Sequence, residues 1–338
     1  MPEPFLGRAL KLSSRAKRGI GFFFGRAAIF YLAALCLAGL FYQATFAANE
    51  PARPLILGIA RARIHTSHLE SSIPFYRVSL GLTPADDVCK GTHLKCFHVN
   101  RLQILHLDPV ETRPPNNFLE EVGFLTDDVS TMRKFLLSRG LRPSSISRNG
   151  EFSSSVSVND PEGHRISFVA EPGIVEPSIK DIENSQRNHA GREMIDAKIV
   201  HAGFVVRDRA AMEHFYKDIL GFHVYWHGGM KDNQTDWLDL QVPEGTDWIE
   251  FMLNVPADAD KHLLGVMNHI ALGVPDIHAA AKQLLTNGMK LTEEPQIGRD
   301  GKWQLNLYDP DDTRVELMEF TPVEKPCCSD YTGPHPKP

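Results

Sequence analysis

The sequence predicts an α+β protein of four tandem modules, each a short strand, an amphipathic helix and then several strands, which pair into curved mixed sheets around a cleft. Three observations carry this expectation. A helix-ending motif occurs twice, a turn-and-strand motif occurs twice, and each half holds a further strand-helix unit between them. The chain has 338 residues, more than one domain usually needs, and with 42% apolar and 23% charged residues its composition is that of a globular protein.

The helix motif comes first. Phe75-Tyr76-Arg77-Val78-Ser79-Leu80-Gly81-Leu82 returns 140 positions later as Phe215-Tyr216-Lys217-Asp218-Ile219-Leu220-Gly221-Phe222. In each copy glycine follows the last apolar residue, the place of a left-handed helix cap. Asp208 stands where it would cap a helix with Ala211, Met212, Phe215 and Ile219 on one face. The second motif is Asp160-Pro161-Glu162-Gly163-His164-Arg165-Ile166-Ser167-Phe168, matched by Asp309-Pro310-Asp311-Asp312-Thr313-Arg314-Val315-Glu316-Leu317. Each copy reads as a turn followed by a closing strand. Between the motifs, 122–125 leads into a helix ending at Gly140, and 269–272 leads into one ending at Asn287-Gly288. Such repetition marks supersecondary units. A unit of this size cannot cover its own sheet, so the modules should pair. The expected organisation is a leader over residues 1–48, a first domain over 54–172, a polar, proline-bearing linker over 173–196, a second domain over 197–322 and a tail over 323–338.

The leader carries Arg8, Lys11, Arg15, Lys17, Arg18 and Arg26 against Glu3, and then 22 uncharged residues from Ala27 to Ala48. This is the order of a signal peptide or a membrane anchor. Thr45-Phe46-Ala47 offers small residues to a signal peptidase, and the run is also long enough to span a bilayer, so cleavage and retention both stay open. In either case the chain is expected to be exported, periplasmic or secreted, or anchored through residues 27–48, with membrane contact there alone. Cys36 follows Leu35 instead of a small residue, which argues against a lipid anchor. A net charge of −6, with no basic stripe past the first 30 residues, gives no reason to expect nucleic acid. Cys89, Cys96, Cys327 and Cys328 lack zinc-type spacing. Cys89 and Cys96 suit either a disulfide across a hairpin or two free thiols, and the tail pair reads as a surface feature.

The strand-helix-strands order, the Phe-Tyr…Leu-Gly helix end and the Asp-Pro turn resemble the βαβββ modules of the vicinal oxygen chelate superfamily, which includes glyoxalases, bleomycin-resistance proteins and extradiol dioxygenases. The resemblance covers most of residues 57–322. It implies four tandem βαβββ modules paired into two half-open mixed β-barrel domains, glyoxalase-like in both halves, with a site on the concave face. It also implies a ligand set in the second half: His201, Glu250, His269 and Glu316. Two neutral imidazoles and two carboxylates suit one divalent ion, Zn²⁺, Ni²⁺, Fe²⁺, Co²⁺ or Mn²⁺, with positions left for substrate oxygens. Period-two alternation sets Glu250 opposite Ile249 and Phe251, and Glu316 opposite Val315 and Leu317; on an ordinary sheet that side is wet. The same alignment puts Arg61, Gln103, Glu121 and Ser167 in the first half, where no metal is expected. His65 and His68 fall out of register.

Two chemistries follow from the resemblance. Extradiol dioxygenases share the layout of an N-terminal domain without ligands and a C-terminal domain with them, and their triad is available as His201, His269 and Glu316. Their acid/base residues are not matched: Asn306 stands where the family has Tyr, Tyr308 is two places off, and no histidine lies between Leu291 and Glu316. The full quartet looks more like glyoxalase I, in which Glu316 would be the catalytic base and Asn254 a substrate contact, although Asn254 also reads as a turn residue closing a strand. Val205 and Gly265 replace the arginines that hold glutathione in that family, which points to an isomerase, epimerase or lyase acting on another small substrate with vicinal oxygens. The loop Gly298-Arg299-Asp300-Gly301-Lys302-Trp303 is suited to close over an anionic or aromatic ligand through Lys302 and Trp303, or is a plain hairpin. A binding protein without turnover is the alternative from another class, and a homodimer is compatible with the fold.

Overall fold

The computed structural model describes residues 51–111, 119–148, 154–170 and 197–338. The leader with Cys36, and the linker over 173–196, lie outside the described residues. Among the described residues no helix is long and apolar enough to cross a membrane.

Each half builds its own mixed sheet. In the first half the strands are β1 (Ile56–Thr66), β2 (Thr83–Pro84), β3 (Lys95–His98), β4 (Ile104–Pro109), β5 (Leu119–Thr126), β6 (Ser154–Asn159) and β7 (Arg165–Ala170), in the order β2-β3-β4-β1-β5-β7-β6. The second half has β8 (Lys198–Val205), β9 (His223–Gly228), β10 (Trp237–Gln241), β11 (Trp248–Met252), β12 (His269–Val274), β13 (Gln296–Ile297), β14 (Trp303–Tyr308) and β15 (Arg314–Glu319), in the order β13-β14-β15-β12-β8-β11-β10-β9. The first strands of the two modules meet antiparallel at the centre, β1 on β5 and β8 on β12. Each is flanked on its outer side by the last strand of its own module, in parallel. The α+β architecture of repeated modules expected from the sequence is therefore the one observed, with one sheet curled as a half-barrel.

The helices among the described residues are α1 (Leu69–Pro74), α2 (Val129–Ser138), α3 (Arg209–Glu213), α4 (Lys261–Met267) and α5 (Ile277–Thr286), with Leu264 of α4 packed against Val205 and Met252. Asp208 caps α3 by accepting from the Ala211 amide at 3.0 Å, as its position suggests. The repeated Phe-Tyr stretch departs from simple helical expectation. Both copies widen into a π turn, Phe75–Ser79 after α1 and His214–Ile219 after α3. Phe215 and Tyr216 are both buried, and the wider turn brings these adjacent residues closer to one face than the about 100° step of an α-helix does. Gly81 and Gly221 then adopt the left-handed conformation, φ 73° and 81°.

One apolar cluster runs through both halves, from Ile56, Phe124 and Phe168 to Phe204, Phe251 and Leu317. The duplicated motifs clasp each other across it. Tyr76 of the first half donates to Asp309 of the second (3.0 Å), and Tyr216 of the second donates to Asp160 of the first (3.3 Å). The carboxylate two residues on repeats the exchange: Asp311 accepts from the Ser67 and His68 amides, and Glu162 from the Arg207 and Asp208 amides.

Candidate metal centre

Strand pairing brings the four predicted ligands to one point. His201 lies on β8, opposite Trp248 of β11 and Ala271 of β12, while Glu250 and His269 both lie opposite Gly203. Glu316 on β15 pairs with Ala271. All four side chains project from the concave face, because Ile249, Phe251, Val315 and Leu317 fill the core on the other side. That face is enclosed: His201, His269 and Glu316 are buried, and the Glu250 side chain keeps only 14% of its exposure.

The donor atoms are close-set. The two Nε2 atoms of His201 and His269 are 3.0 Å apart. Glu250 Oε2 is 3.7 Å from His201 Nε2 and 3.2 Å from His269 Nε2, and Glu316 Oε2 is 3.7 and 3.6 Å from the same atoms. A tetrahedral shell with bonds of about 2.0–2.1 Å has edges of about 3.3 Å, which these spacings bracket. His269 Nδ1 donates to the Met267 carbonyl (3.2 Å), turning its Nε2 lone pair toward the cluster. Gly203 makes room for that ring, since a Cβ there would lie 2.1 Å from His269 Cε1.

Electrostatics fit a divalent cation. Burial, the largest effect, holds both imidazoles well below the usual histidine range and therefore neutral. Burial also pushes Glu250 and Glu316 up to about 7, against the pull of Arg314. Asp239, opposite Glu250 in the sheet, and Asp300 are raised by burial too, so four carboxylates share this pocket with two cations, Arg314 and Lys302. With all four ionised, as a bound cation would favour, the deficit is two positive charges. One M²⁺ ion held by His201, Glu250, His269 and Glu316 would cancel it, so the donor set and the charge balance both fit such an ion.

Arg314 and Asp239 also line this pocket, and neither stands out in the sequence. Arg314 stands two places before Glu316 on the same strand face, so period-two alternation could have found it. Its Nη2 lies 2.7 Å from His269 Nε2 and 3.7 Å from Glu316 Oε2. Asp239 has no sequence signal; only its cross-strand register with Glu250 marks it.

The three residues expected to contact substrate are placed differently from one another. Lys302 faces the cluster but is fully buried, with its ammonium 4.5 Å from the centre of the Trp248 ring and 5.2 and 5.1 Å from those of Tyr225 and Tyr331. Trp248 in turn lies against the His201 ring, 4.8 Å away. Trp303 points to the other side of β14, into the core and against His278. Asn254 adopts a positive φ of 59° and spends its amide on Thr235 O and Asp236 Oδ1, the turn role that its position also allowed.

Residues 323–338 pack against the sheet beside this pocket. Trp226 Nε1 donates to Cys327 O, the Thr332 amide to Tyr225 O, Gln241 to Pro334 O and Tyr331 to Asp300 O. His335 meets the Tyr225 hydroxyl at 2.6 Å. Cys327 and Cys328 lie toward the surface beside Asp232 and Arg299.

In the first half, Arg61 takes the place of His201 and closes on Glu121 (2.6 Å) and Ser167 (3.1 Å), with Arg63 also on Glu121 (3.0 Å). Strand register corrects one correspondence. Arg61 pairs with Ile104 as His201 pairs with Trp248, so His106, not Gln103, stands at the position of Glu250. Gln103 matches Asp247 instead: Gln103 bonds Ile199 of the other half, and Asp247 bonds the Ile59 amide. The sequence alignment slipped by three residues because β4 carries no motif to anchor it.

The fold and the pocket together define a protein of tandem βαβββ modules with a candidate metal site in its second half. Residues 198–317, most of the second half, match the Glyoxalase/Bleomycin resistance protein/Dioxygenase superfamily. Lactoylglutathione lyase of Haemophilus influenzae is 27% identical over 124 residues, 36% of this chain and 92% of that protein. Among solved structures, the 2,3-dioxygenase LapB of Pseudomonas sp. KL28 is similar with a TM-score of 0.62 at 20% identity, covering 85% of this chain and 96% of that one. Homoprotocatechuate 2,3-dioxygenase of Arthrobacter globiformis is similar with a TM-score of 0.56 at 17% identity, over 79% and 80%. At such identities the likeness to these dioxygenases is one of fold.

Proposed function

We propose that the protein is a metal-dependent enzyme acting on a small substrate with vicinal oxygens, of the isomerase, epimerase or lyase type related to glyoxalase I, with His201, Glu250, His269 and Glu316 as ligands. The observation that carries this reading is the convergence of two neutral imidazoles and two carboxylates of raised proton affinity at one buried point. A bound divalent ion would supply Lewis-acid polarisation of the two substrate oxygens. The chain's own part is proton transfer and exclusion of water. Glu316 Oε2 takes a proton from the carbon beside the substrate carbonyl and returns it to the neighbouring carbon. Arg314 offsets the negative charge that develops, and Trp248 keeps bulk water from the His201 side.

Ring cleavage is the second reading. The His201, His269 and Glu316 donor atoms lie within 4.8 Å of one another, and the two-sheet chain matches the length of a dioxygenase. Against it, Tyr308 is bonded to Glu293 (2.8 Å), and so is Asn306 (3.0 Å).

The test is metal analysis of the full chain purified without chelator, beside His269→Ala and Glu316→Gln, followed by NMR of α-proton exchange into deuterated water with α-hydroxycarbonyl substrates. About one nickel, zinc or cobalt per chain, lost in both variants, with exchange that Glu316→Gln abolishes, is expected. Iron together with oxygen uptake on catechols would replace this reading with ring cleavage; no metal would leave a binding protein. Export of the chain is likewise our proposal, resting on the leader, and N-terminal sequencing of the mature protein from the periplasm or medium tests it.

A further inference from the structure

We propose that the first half carries a separate soft-metal site, formed by Cys89, Cys96 and His106 when the two cysteines are reduced. One sulfur or nitrogen from each residue lies within 4.8 Å of the others, and all three residues are buried. Cys96 of β3 and His106 of β4 are direct cross-strand partners, and Cys89 is brought over them by the turn that precedes β3. Ala85 and Ile104 wall the cluster, with Val88 and Leu94 packed against it.

The structure pairs Cys89 with Cys96 in a disulfide, Cα atoms 6.0 Å apart, a separation that suits such a bond. Beside that bond β4 sets a buried imidazole, at the register position that holds Glu250 in the second half. The first half has therefore filled its inner ligand positions with the Arg61–Glu121 pair and gathered three soft ligands one strand further out. Two thiolates and an imidazole in an apolar, enclosed setting favour Cu⁺ in a three-coordinate site, or Zn²⁺ with one further ligand, over the harder ions expected in the second half.

Opening the site is a two-electron step. A dithiol reductant attacks the Cys89–Cys96 bond and closes to its own disulfide, leaving two protein thiols; metal binding then displaces both thiol protons. The two states exclude each other, so occupancy follows the thiol redox state: the disulfide closes the site in the oxidising compartment to which export would bring the chain, and the site opens only where a dithiol reductant acts.

The experiment uses the full chain with Cys36→Ser, Cys327→Ser and Cys328→Ser, which leaves Cys89 and Cys96 as its cysteines. The protein is titrated anaerobically with Co²⁺, followed by the near-ultraviolet thiolate-to-metal band, and with Cu⁺ against bicinchoninate, before and after reduction. The reduced protein should bind one equivalent with the thiolate band, and the oxidised protein should show none of that band. His106→Ala should weaken binding by about tenfold or more, since even the loss of an outer-shell partner costs that much. Co²⁺ and Cu⁺ separate a divalent from a monovalent preference. Absence of the band from the reduced protein, with no high-affinity Cu⁺, overturns the proposal without depending on any variant of His106. An unchanged affinity in a folded His106→Ala protein overturns the three-ligand site.

Discussion

Binding of a divalent ion to the second-half centre should expel protons, in a number set by the pocket. Glu250 and Glu316 are raised to about 7, first by burial. The sign follows directly: the metal needs both carboxylates ionised, burial favours the protonated forms, so metal and protons compete and acid weakens binding. With each pKa at about 7, each carboxyl is about 0.9 protonated at pH 6 and about 0.1 at pH 8, so binding releases about 1.8 and about 0.2 protons respectively. The apparent affinity then falls about 100-fold from pH 8 to pH 6, or about 2.7 kcal/mol. Isothermal titration of the chelator-stripped protein with Zn²⁺ or Co²⁺, in paired buffers of different ionisation enthalpy, reads both numbers. Release of the same small number at both pH values would refute the reasoning, because the ligands would then be ionised before the metal arrives.

Other outcomes follow from single contacts. Gly203→Ala drives a methyl into the His269 ring, so metal content should drop sharply while the far-ultraviolet circular dichroism stays native. Glu121 is driven up by burial but more strongly down by Arg61 and Arg63, to about 2. Its contribution, about 3 kcal/mol, should be present above pH 4.5 and fade as pH falls from there toward 2, and Glu121→Gln should flatten that part of a urea-midpoint profile. Tyr76→Phe removes a bond to the Asp309 carboxylate and should cost about 1.5–3 kcal/mol in urea denaturation. Deleting residues 323–338 uncovers Trp226 and Lys302, so acrylamide should quench tryptophan fluorescence more in the truncated protein than in the full chain.

Much of this was legible because repeats and alternation are local signals. The Phe-Tyr…Leu-Gly and Asp-Pro motifs reported where modules begin and end, and the alternation around Glu250 and Glu316 set them opposite the core. Alternation could not say whether that opposite face was solvent or an enclosed pocket. The curl of the sheet decides that, and curl comes from pairing between residues far apart in sequence. The same limit explains the Gln103 slip and the silence about Asp239, which is in register with Glu250 only through the β10–β11 pairing. The tail escaped for another reason: its order comes from backbone bonds to β9 and to the loop before β14, which leave no periodic trace in residues 323–338.

The reciprocal clasp of Tyr76 on Asp309 and Tyr216 on Asp160 bears on how such a pair can diverge. Two identical subunits joined across a two-fold axis must carry every substitution twice. Here the two sides of a similar clasp lie on one polypeptide, and each side can change alone. The half with Arg61 in place of a ligand is free to take on other duties and still supply Asp160, Glu162 and Tyr76. Its neighbour meanwhile keeps His201, Glu250, His269 and Glu316 on a strand framework whose partner is never more than a linker away.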